Sequence, residues 1–305
     1  VIYYFSVTDT PPGKVYQRPP SSAGMEVTTQ RDFWFLLAAN IPLVAVLGLI
    51  AWRLTTVEFI TLPTLALIGV LLIGLYLFQS YSTWQANKPL MTGQKRYAPE
   101  DRYRFSQVFN LEMAYVACFG SELAVVSMLP TYFERGFGLT AAVAGAVAGM
   151  YAFMNLVARP GGGLLSDKLG SRKLTLVITI AGTGVGYLLF SLFGQGIPIF
   201  FVVLMTMVAS FFVMAAEGAT YAIVPLIKPR ITGQIAGNVG AYGNVGAVVY
   251  LTVYSLLPQG VAGDKLFFQM LGCVALMVAF LNALTLKEVV GSHTKRGAQV
   301  PSAVR

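Results

Sequence analysis

Apolar segments long enough to cross a lipid bilayer recur along this chain and restrict it to a membrane fold. The segments lie at about 33–52, 56–79, 105–132, 140–165, 173–194, 197–226, 233–257 and 266–286. Each reaches the ~20 residues that an α-helix needs to span the hydrocarbon core. Charged residues make up only 11% of the chain, against about 25% in soluble domains. We therefore predict an all-α, polytopic membrane protein.

The basic residues are distributed unevenly between the two sides of these predicted helices. With the amino terminus in the cytoplasm, 17 of the 21 Lys and Arg residues fall in cytoplasmic loops and three in outer loops. This is the positive-inside pattern, and it accounts for the net charge of +8 without a nucleic-acid partner. We predict a multi-pass protein of the cell (inner or plasma) membrane, embedded in the lipid bilayer, with both termini of the chain cytoplasmic.

Few residues of the chain are suited to hold a metal or a cofactor. The two cysteines, Cys118 and Cys273, lie in apolar segments, and the single histidine, His293, lies in the polar tail. Haem sites generally use histidine ligands, and the predicted helices carry no histidine. We expect no cofactor, no metal and no enzymatic activity.

Composition divides the chain into five regions. Residues 1–7 are apolar and resemble the end of a helix, so we expect the chain to be the carboxy-terminal part of a longer protein. The regions are the helix end and polar linker 1–32, an accessory transmembrane helix pair 33–84, a basic linker 85–104, a six-helix bundle 105–286 and a tail 287–305. Because a pair of helices returns the chain to the same side, we expect the accessory pair to be a lipid-facing hairpin that leaves the bundle's topology unchanged.

Arg159 is the one basic residue that lies among apolar residues at membrane depth. The loop residue Asp167 follows eight positions later, which places Arg159 about 12 Å inside the membrane at ~1.5 Å per residue. A guanidinium at this depth costs several kcal/mol unless it is paired. Arg159 is therefore either a ligand-binding residue or one half of a structural ion pair with a carboxylate on another helix.

The loop that follows Arg159 combines glycine with charge. It has the pattern G-x-x-x-D-[RK]-x-G followed by two cations, and its defining residues are Gly163, Asp167, Lys168, Gly170, Arg172 and Lys173. The glycines allow a tight turn between two helices, and the cations face anionic headgroups. We expect Asp167 to accept hydrogen bonds from the amino end of a neighbouring helix.

A second glycine-rich stretch opens the segment at 233–257. Its glycines recur every three or four residues and form a stripe that lets a neighbouring backbone approach closely. Asn238 and Tyr242 are four residues apart and stand on one face of the helix. A phosphate-binding loop is excluded, because no Gly-Lys-Ser/Thr follows.

Together with residues 158–163 and 217–225, these stretches resemble the nitrate/nitrite porter family of the major facilitator superfamily, in particular its assimilatory permeases. The resemblance implies the carboxy-terminal half of a facilitator fold, which needs an amino-terminal half that this chain lacks. It also implies a conformational role for the loop at 163–173 and identifies 233–246 as the family's glycine-rich nitrate signature. The implied substrate-binding residues are Arg159, Tyr115, Phe119, Asn238, Gly240, Gly243 and Asn244.

The third predicted helix carries two acids and two aromatic residues on one face. Glu112, Tyr115, Phe119 and Glu122 are spaced by three, four and three residues. By resemblance, Tyr115 and Phe119 sandwich the planar anion, while simple packing between helices is the other interpretation of the pair. Glu112, Glu122 and Glu217 are candidates either for proton coupling or for structural ion pairs.

The resemblance implies a nitrate/nitrite transporter of nitrate assimilation that works by alternating access. We favour proton symport, because a negative-inside potential of 100 mV opposes the entry of one negative charge by ~2.3 kcal/mol. Nitrate/nitrite exchange avoids this cost, and a facilitator of another small or organic anion is a further alternative. A non-transporting scaffold or sensor is the alternative from a different class.

Overall fold

The computed structural model describes residues 24–288, which contain ten α-helices. They are α1 (Gln30–Thr56), α2 (Leu62–Met91), α3 (Phe105–Tyr115), α4 (Ser121–Phe137), α5 (Ala141–Phe153), α6 (Asn155–Leu169), α7 (Arg172–Phe193), α8 (Ile199–Ile227), α9 (Thr232–Leu256) and α10 (Val261–Thr285). A π-helical segment, Val116–Gly120, joins α3 to α4, and only Met154 separates α5 from α6. Within residues 24–288 the helices form eight candidate membrane spans by length and composition. The prediction of an all-α polytopic membrane protein is confirmed.

The spans agree with the predicted segments in number and order but not in every boundary. α2 continues to Met91 and includes the first residues of the predicted linker 85–104. The polar residue Asn87 favours a loop in sequence, yet its side chain is buried and bonds to the chain before α1. Its amide oxygen accepts from Val27 N at 2.8 Å, and its nitrogen donates to Met25 O at 2.9 Å. Residues 1–23 and the tail beyond 288, with His293, lie outside the described residues.

The accessory helix pair does not face lipid along its whole surface. In α1, Phe35 packs against Phe105 and Phe109 at 5.2 and 5.1 Å between ring centroids, and Tyr242 Oη of α9 donates to Ala39 O. α2 packs on α1, and most of its large apolar side chains are exposed. The expectation of a lipid-facing hairpin therefore suits α2, whereas α1 is docked on the bundle.

Glu26, in the segment before α1, links three parts of the chain. Lys95 Nζ donates to Glu26 Oε1 at 3.0 Å, and Tyr97 Oη and Arg230 Nη2 also donate to this carboxylate. Burial acts to raise the pKa of Glu26, but the hydrogen bonds from Tyr97 and Lys95 and the charges of Lys95 and Arg230 outweigh it and lower the pKa. The hairpin is thereby tied to the start of α9.

The loop after α6 forms the tight turn that its glycines predict, since Gly170 has a φ of +68° and ends α6. Asp167 pairs with the side chain of Arg172 at 2.5 Å, and Arg172 Nη1 donates to Ala222 O of α8 at 3.0 Å. The backbone N–H groups at the start of α7 donate instead to Glu288, at 2.7 Å from Arg172 N and 3.3 Å from Lys173 N. The expected role of Asp167 was wrong, because a carboxylate from beyond α10 occupies the position.

Candidate functional site

Two close backbone contacts between α6 and α8 position Arg159 on α6. A Cβ added at Gly218 would overlap the carbonyl oxygen of Arg159, and one added at Gly162 would overlap that of Ala215. The backbones of α6 and α8 are therefore in direct contact, which only glycine allows at these positions. Glu217 precedes Gly218 in α8 and is brought next to Arg159 by this contact.

The Arg159 guanidinium has three partners. Nη2 lies 3.1 Å from Glu217 Oε2 and donates to Tyr115 Oη at 2.5 Å, and Cζ lies 6.0 Å from the Phe119 ring centroid. The Arg159 side chain is 37% exposed, while that of Glu217 is completely buried. The arginine is thus paired to a helix-borne carboxylate and is still accessible from one side, so both predicted interpretations of Arg159 are compatible with the structure.

Tyr115 and Phe119 lie at the two ends of the π-helical turn. Their rings stack on each other, with centroids 4.9 Å apart and planes 5° apart. A planar anion held between two rings needs about 7 Å, twice the usual contact distance between stacked atoms. In this conformation the two rings are too close to hold an anion between them and form one wall beside Arg159, and the sandwich stays a prediction.

The glycine stripe of α9 packs against this π-helical turn. A Cβ at Gly243 would lie 2.6 Å from ring atoms of both Tyr115 and Phe119, and one at Gly246 would lie 3.0 Å from Val116. A Cβ at Gly240 would lie 3.1 Å from the hydroxyl of Tyr221, whose ring packs edge-on against Tyr115. Gly240 and Gly243 are thus part of the site as packing surfaces for its aromatic rings.

The polar residues of the same helix contribute unequally. Asn238 Nδ2 donates to Glu112 Oε1 at 2.6 Å, one turn before Tyr115. Asn244 is exposed and donates to the Gly240 carbonyl of its own helix at 3.1 Å. Asn238 therefore borders the site, whereas Asn244, among the hydrogen bonds of residues 24–288, makes none to Arg159 or the aromatic pair.

The three membrane-depth glutamates separate into two groups. Glu122 accepts from Asn155 Nδ2 at 3.0 Å, and its carboxyl group interacts with that of Glu217. Glu112 contacts Asn238 of α9 instead. A π-helical turn, Val116–Gly120, lies between Glu112 and Glu122 and interrupts the regular helical spacing from which one shared face was predicted, so that face stays a prediction. Among the described residues, neither carboxylate oxygen of Glu217 accepts an aligned hydrogen bond.

Asn155 and Tyr221 belong to the site but were not among the predicted site residues. Asn155 precedes Arg159 by four residues, and Tyr221 follows Glu217 by four, so each shares a helix face with a residue already singled out. Tyr221 Oη donates to Ala236 O of α9 at 3.1 Å. Helical spacing from Arg159 and Glu217 was the signal that would have identified both.

The fold and the site define a polytopic helical membrane protein with a partly exposed, ion-paired arginine inside a membrane span. The family model described as Major Facilitator Superfamily matches residues 111–303, and the chain belongs to this superfamily. Proteins of this class are transporters, and the prediction that the chain is not an enzyme is confirmed.

Two relatives named nitrate/nitrite transporter match almost the whole chain, and a third relative matches about half of it. It is 60% identical over 306 residues to the nitrate/nitrite transporter NrtP of Picosynechococcus sp., covering 97% of this chain and 57% of that protein. It is 49% identical over 294 residues to NrtP of Nostoc punctiforme, covering 96% and 58%. High affinity nitrate transporter 2.5 of Arabidopsis thaliana is 37% identical over 146 residues, covering 47% and 29%. The resemblance to nitrate/nitrite porters is confirmed, and the chain spans less than two thirds of these relatives.

Proposed function

We propose that this chain forms one half of a nitrate/nitrite transporter that works by alternating access. The observation that carries the proposal is the Arg159 guanidinium, which lies within a membrane span, is held by Glu217 and Tyr115, and is still 37% exposed. A charged group at this depth is costly and marks a substrate pathway by default. Two relatives named nitrate/nitrite transporter cover almost the whole chain and support this choice of substrate.

Nitrate and nitrite suit the chemistry around Arg159. Arginine has five N–H donors in a planar fork, and Glu217 and Tyr115 engage only Nη2. The remaining donors are available to the in-plane oxygens of a small oxyanion. The stacked Tyr115 and Phe119 rings provide an apolar wall that displaces water from the face of a weakly hydrated anion.

The second half of the transporter completes the site in this proposal. Facilitators bind substrate at the interface between two helical repeats, near the middle of the membrane. Both named NrtP relatives are longer than this chain, which covers 57% and 58% of them. The exposed side of Arg159 is the side that faces such a half, and an anion bound there contacts both. The positive-inside pattern supports cytoplasmic chain termini in the cell membrane.

The charges next to Arg159 support proton symport. Glu122 and Glu217 lie together beside one guanidinium, and both are buried. An anion bound to Arg159 competes for its charge and leaves the Glu217 carboxylate without compensation. An unpaired buried charge is costly, so Glu217 takes up a proton when the anion binds. The anion then crosses the membrane with a proton and does not work against the potential.

Labelled nitrate uptake tests the proposal in cells that lack their own nitrate transporters. The cells express this chain alone, or joined to the amino-terminal half of a named relative. We expect uptake only in the joined form, with nitrate and nitrite competing and phosphate having no effect. Uptake by the chain alone would contradict the two-half site. Competition by phosphate would favour another anion facilitator, no uptake would favour a scaffold or sensor, and uptake without proton flux would favour nitrate/nitrite exchange.

A further inference from the structure

A basic cavity lies at the end of the bundle where α3 begins and α8 and α10 end. It has a volume of about 540 Å³, within the ~300–1,000 Å³ that is usual for small-molecule sites. Three cations line it: Arg102 and Arg104, which precede α3, and Lys287, which follows α10. Its wall also contains the apolar residues Leu226 and Ile227 at the end of α8. The cavity therefore has both a charged and an apolar surface.

The structure holds these cations at the cavity. Arg102 Nε donates to Tyr97 O at 3.0 Å, which leaves the two terminal nitrogens of the guanidinium for another partner. Gln107 Oε1 accepts from the backbone N–H of Lys287 at 2.7 Å and fixes that residue beside α3. Arg104 is the residue that precedes the first turn of α3. Among the described residues, none of these three cations forms an ion pair with a carboxylate.

A neighbouring cavity at the same end shows a different balance of charge. It has a volume of about 570 Å³, and four cations line it: Lys95, Arg96, Lys228 and Arg230. Lys95 and Arg230 pair with Glu26 and Lys228 pairs with Asp101, so among the described residues Arg96 is the one cation of these four without a carboxylate partner. Most of the positive charge is therefore compensated in this cavity, whereas all three cations of the first cavity are uncompensated.

We propose that the cavity of Arg102, Arg104 and Lys287 binds the headgroup of an anionic phospholipid. Basic pockets between membrane helices on the cytoplasmic side are suited to phosphate-containing headgroups. The three cations match the phosphate, and Leu226 and Ile227 extend an apolar surface from the cavity toward the acyl chains. A free inorganic anion has no use for this apolar wall, so the lining favours a lipid. The lipid contacts the ends of three helices, and its cavity shares no residue with the Arg159 site. The proposal is therefore independent of the transported substrate.

Native mass spectrometry of the full 305-residue chain in detergent tests this proposal, with phosphatidylglycerol and phosphatidylcholine as probes. The test variant replaces the three cavity cations by Gln. A control variant with the same loss of charge replaces three exposed cations that line neither cavity, namely Arg31, Lys88 and Arg135. Thermal unfolding is followed in parallel, and each cavity cation is also replaced singly, so that a folded variant is always measured.

We expect the wild-type chain to retain phosphatidylglycerol in preference to phosphatidylcholine. Each cavity cation removed should weaken this binding roughly fivefold, since a basic residue near anionic lipid contributes on that order, and the control variant should bind like the wild type. Equal losses in both variants, or no loss in the cavity variant, would overturn the proposal. Displacement of the lipid by inorganic phosphate alone would overturn it in favour of a free oxyanion.

Discussion

Arg159 and Glu217 form an ion pair in which only the arginine is accessible. The distance between Arg159 Nη2 and Glu217 Oε2 is 3.1 Å, and the exposed fractions of the two side chains are 37% and 0%. A ligand therefore reaches the cation without displacing the carboxylate from the protein interior. Because each charge of the pair stabilises the other, a ligand that binds Arg159 also changes the electrostatic environment of Glu217.

Arg159→Lys should lower nitrate uptake by at least about tenfold in the joined transporter. Lysine has one ammonium group, which cannot pair with Glu217 and also present a planar donor fork to an oxyanion. A matched control is Arg135→Lys. Arg135 is exposed in the last turn of α4, and its side chain donates to Gln259 Oε1 at 3.2 Å and not to a residue around Arg159. Uptake is measured as initial rate against nitrate concentration. Equal rates for both variants would remove Arg159 from the substrate site.

Glu217→Gln should retain nitrate binding but abolish its coupling to protons. The neutral amide leaves the charge of Arg159 available to the anion and removes the group proposed to take up the proton. Removing one partner of a fully buried pair costs about 3–5 kcal/mol, but the exposure of Arg159 to solvent reduces this cost.

The number of protons that cross the membrane with each nitrate is measured with a pH-sensitive dye in vesicles. It distinguishes transport coupled to protons from transport without coupling. Glu112→Gln is the control, because Glu112 bonds to Asn238 and is not part of the Arg159 cluster. Glu122→Gln should resemble Glu217→Gln, since these two carboxyl groups interact. An unchanged proton-to-nitrate ratio in both cluster variants would refute symport through this pair.

The spans and the position of Arg159 inside one of them were predictable because both depend on local composition. Runs of apolar residues fix where the helices cross, and a lone guanidinium among them is conspicuous. The stripe of glycines in α9 likewise predicts a close helix contact, although not its partner. Composition and helical periodicity therefore predicted where these residues lie more reliably than what they contact.

The contacts that the sequence could not provide depend on irregular backbone or on residues far apart in the chain. The π-helical turn at Val116–Gly120 has no compositional mark, yet the stacked rings of Tyr115 and Phe119 lie on it, and Glu112 and Glu122 on either side of it bond to different helices. Three glutamates were available to Arg159, and helix crossing alone selects Glu217.

Gly243→Ala should reduce both stability and uptake. The added methyl group would lie 2.6 Å from Tyr115 and Phe119, so the stacked rings must move away from Arg159. Overpacking of this kind costs about 1–3 kcal/mol. Gly237→Ala on the same helix is the matched control, because its Cβ meets no atom of the described chain within 4 Å.

Thermal unfolding and nitrate uptake are measured for both glycine variants. The control should be neutral or slightly stabilising, since alanine is the better helix former by up to about 1 kcal/mol. Equal effects of the two substitutions would mean that the glycines of α9 act through helix propensity and not through their contact with the aromatic pair.

Glu26→Gln should loosen the hairpin from the bundle in a pH-dependent manner. Hydrogen bonds and charges from Tyr97, Lys95 and Arg230 lower the pKa of Glu26 against the effect of burial. A carboxyl with a lowered folded-state pKa stabilises the protein above its unfolded pKa, which is 4.5 as the reference value, and this stabilisation disappears as the pH falls through the folded pKa. The midpoint of unfolding should therefore drop in the variant by about 2–4 °C at pH 7, corresponding to ~1 kcal/mol.

The same comparison at decreasing pH provides the decisive measurement. The difference between wild type and Glu26→Gln should be constant from pH 7 down to about pH 5 and then shrink, because the wild-type carboxyl becomes protonated. Glu100→Gln is the control, since Glu100 is exposed and has no ion pair within residues 24–288. A difference that persists below the folded pKa would show that Glu26 acts through packing and not through its charge.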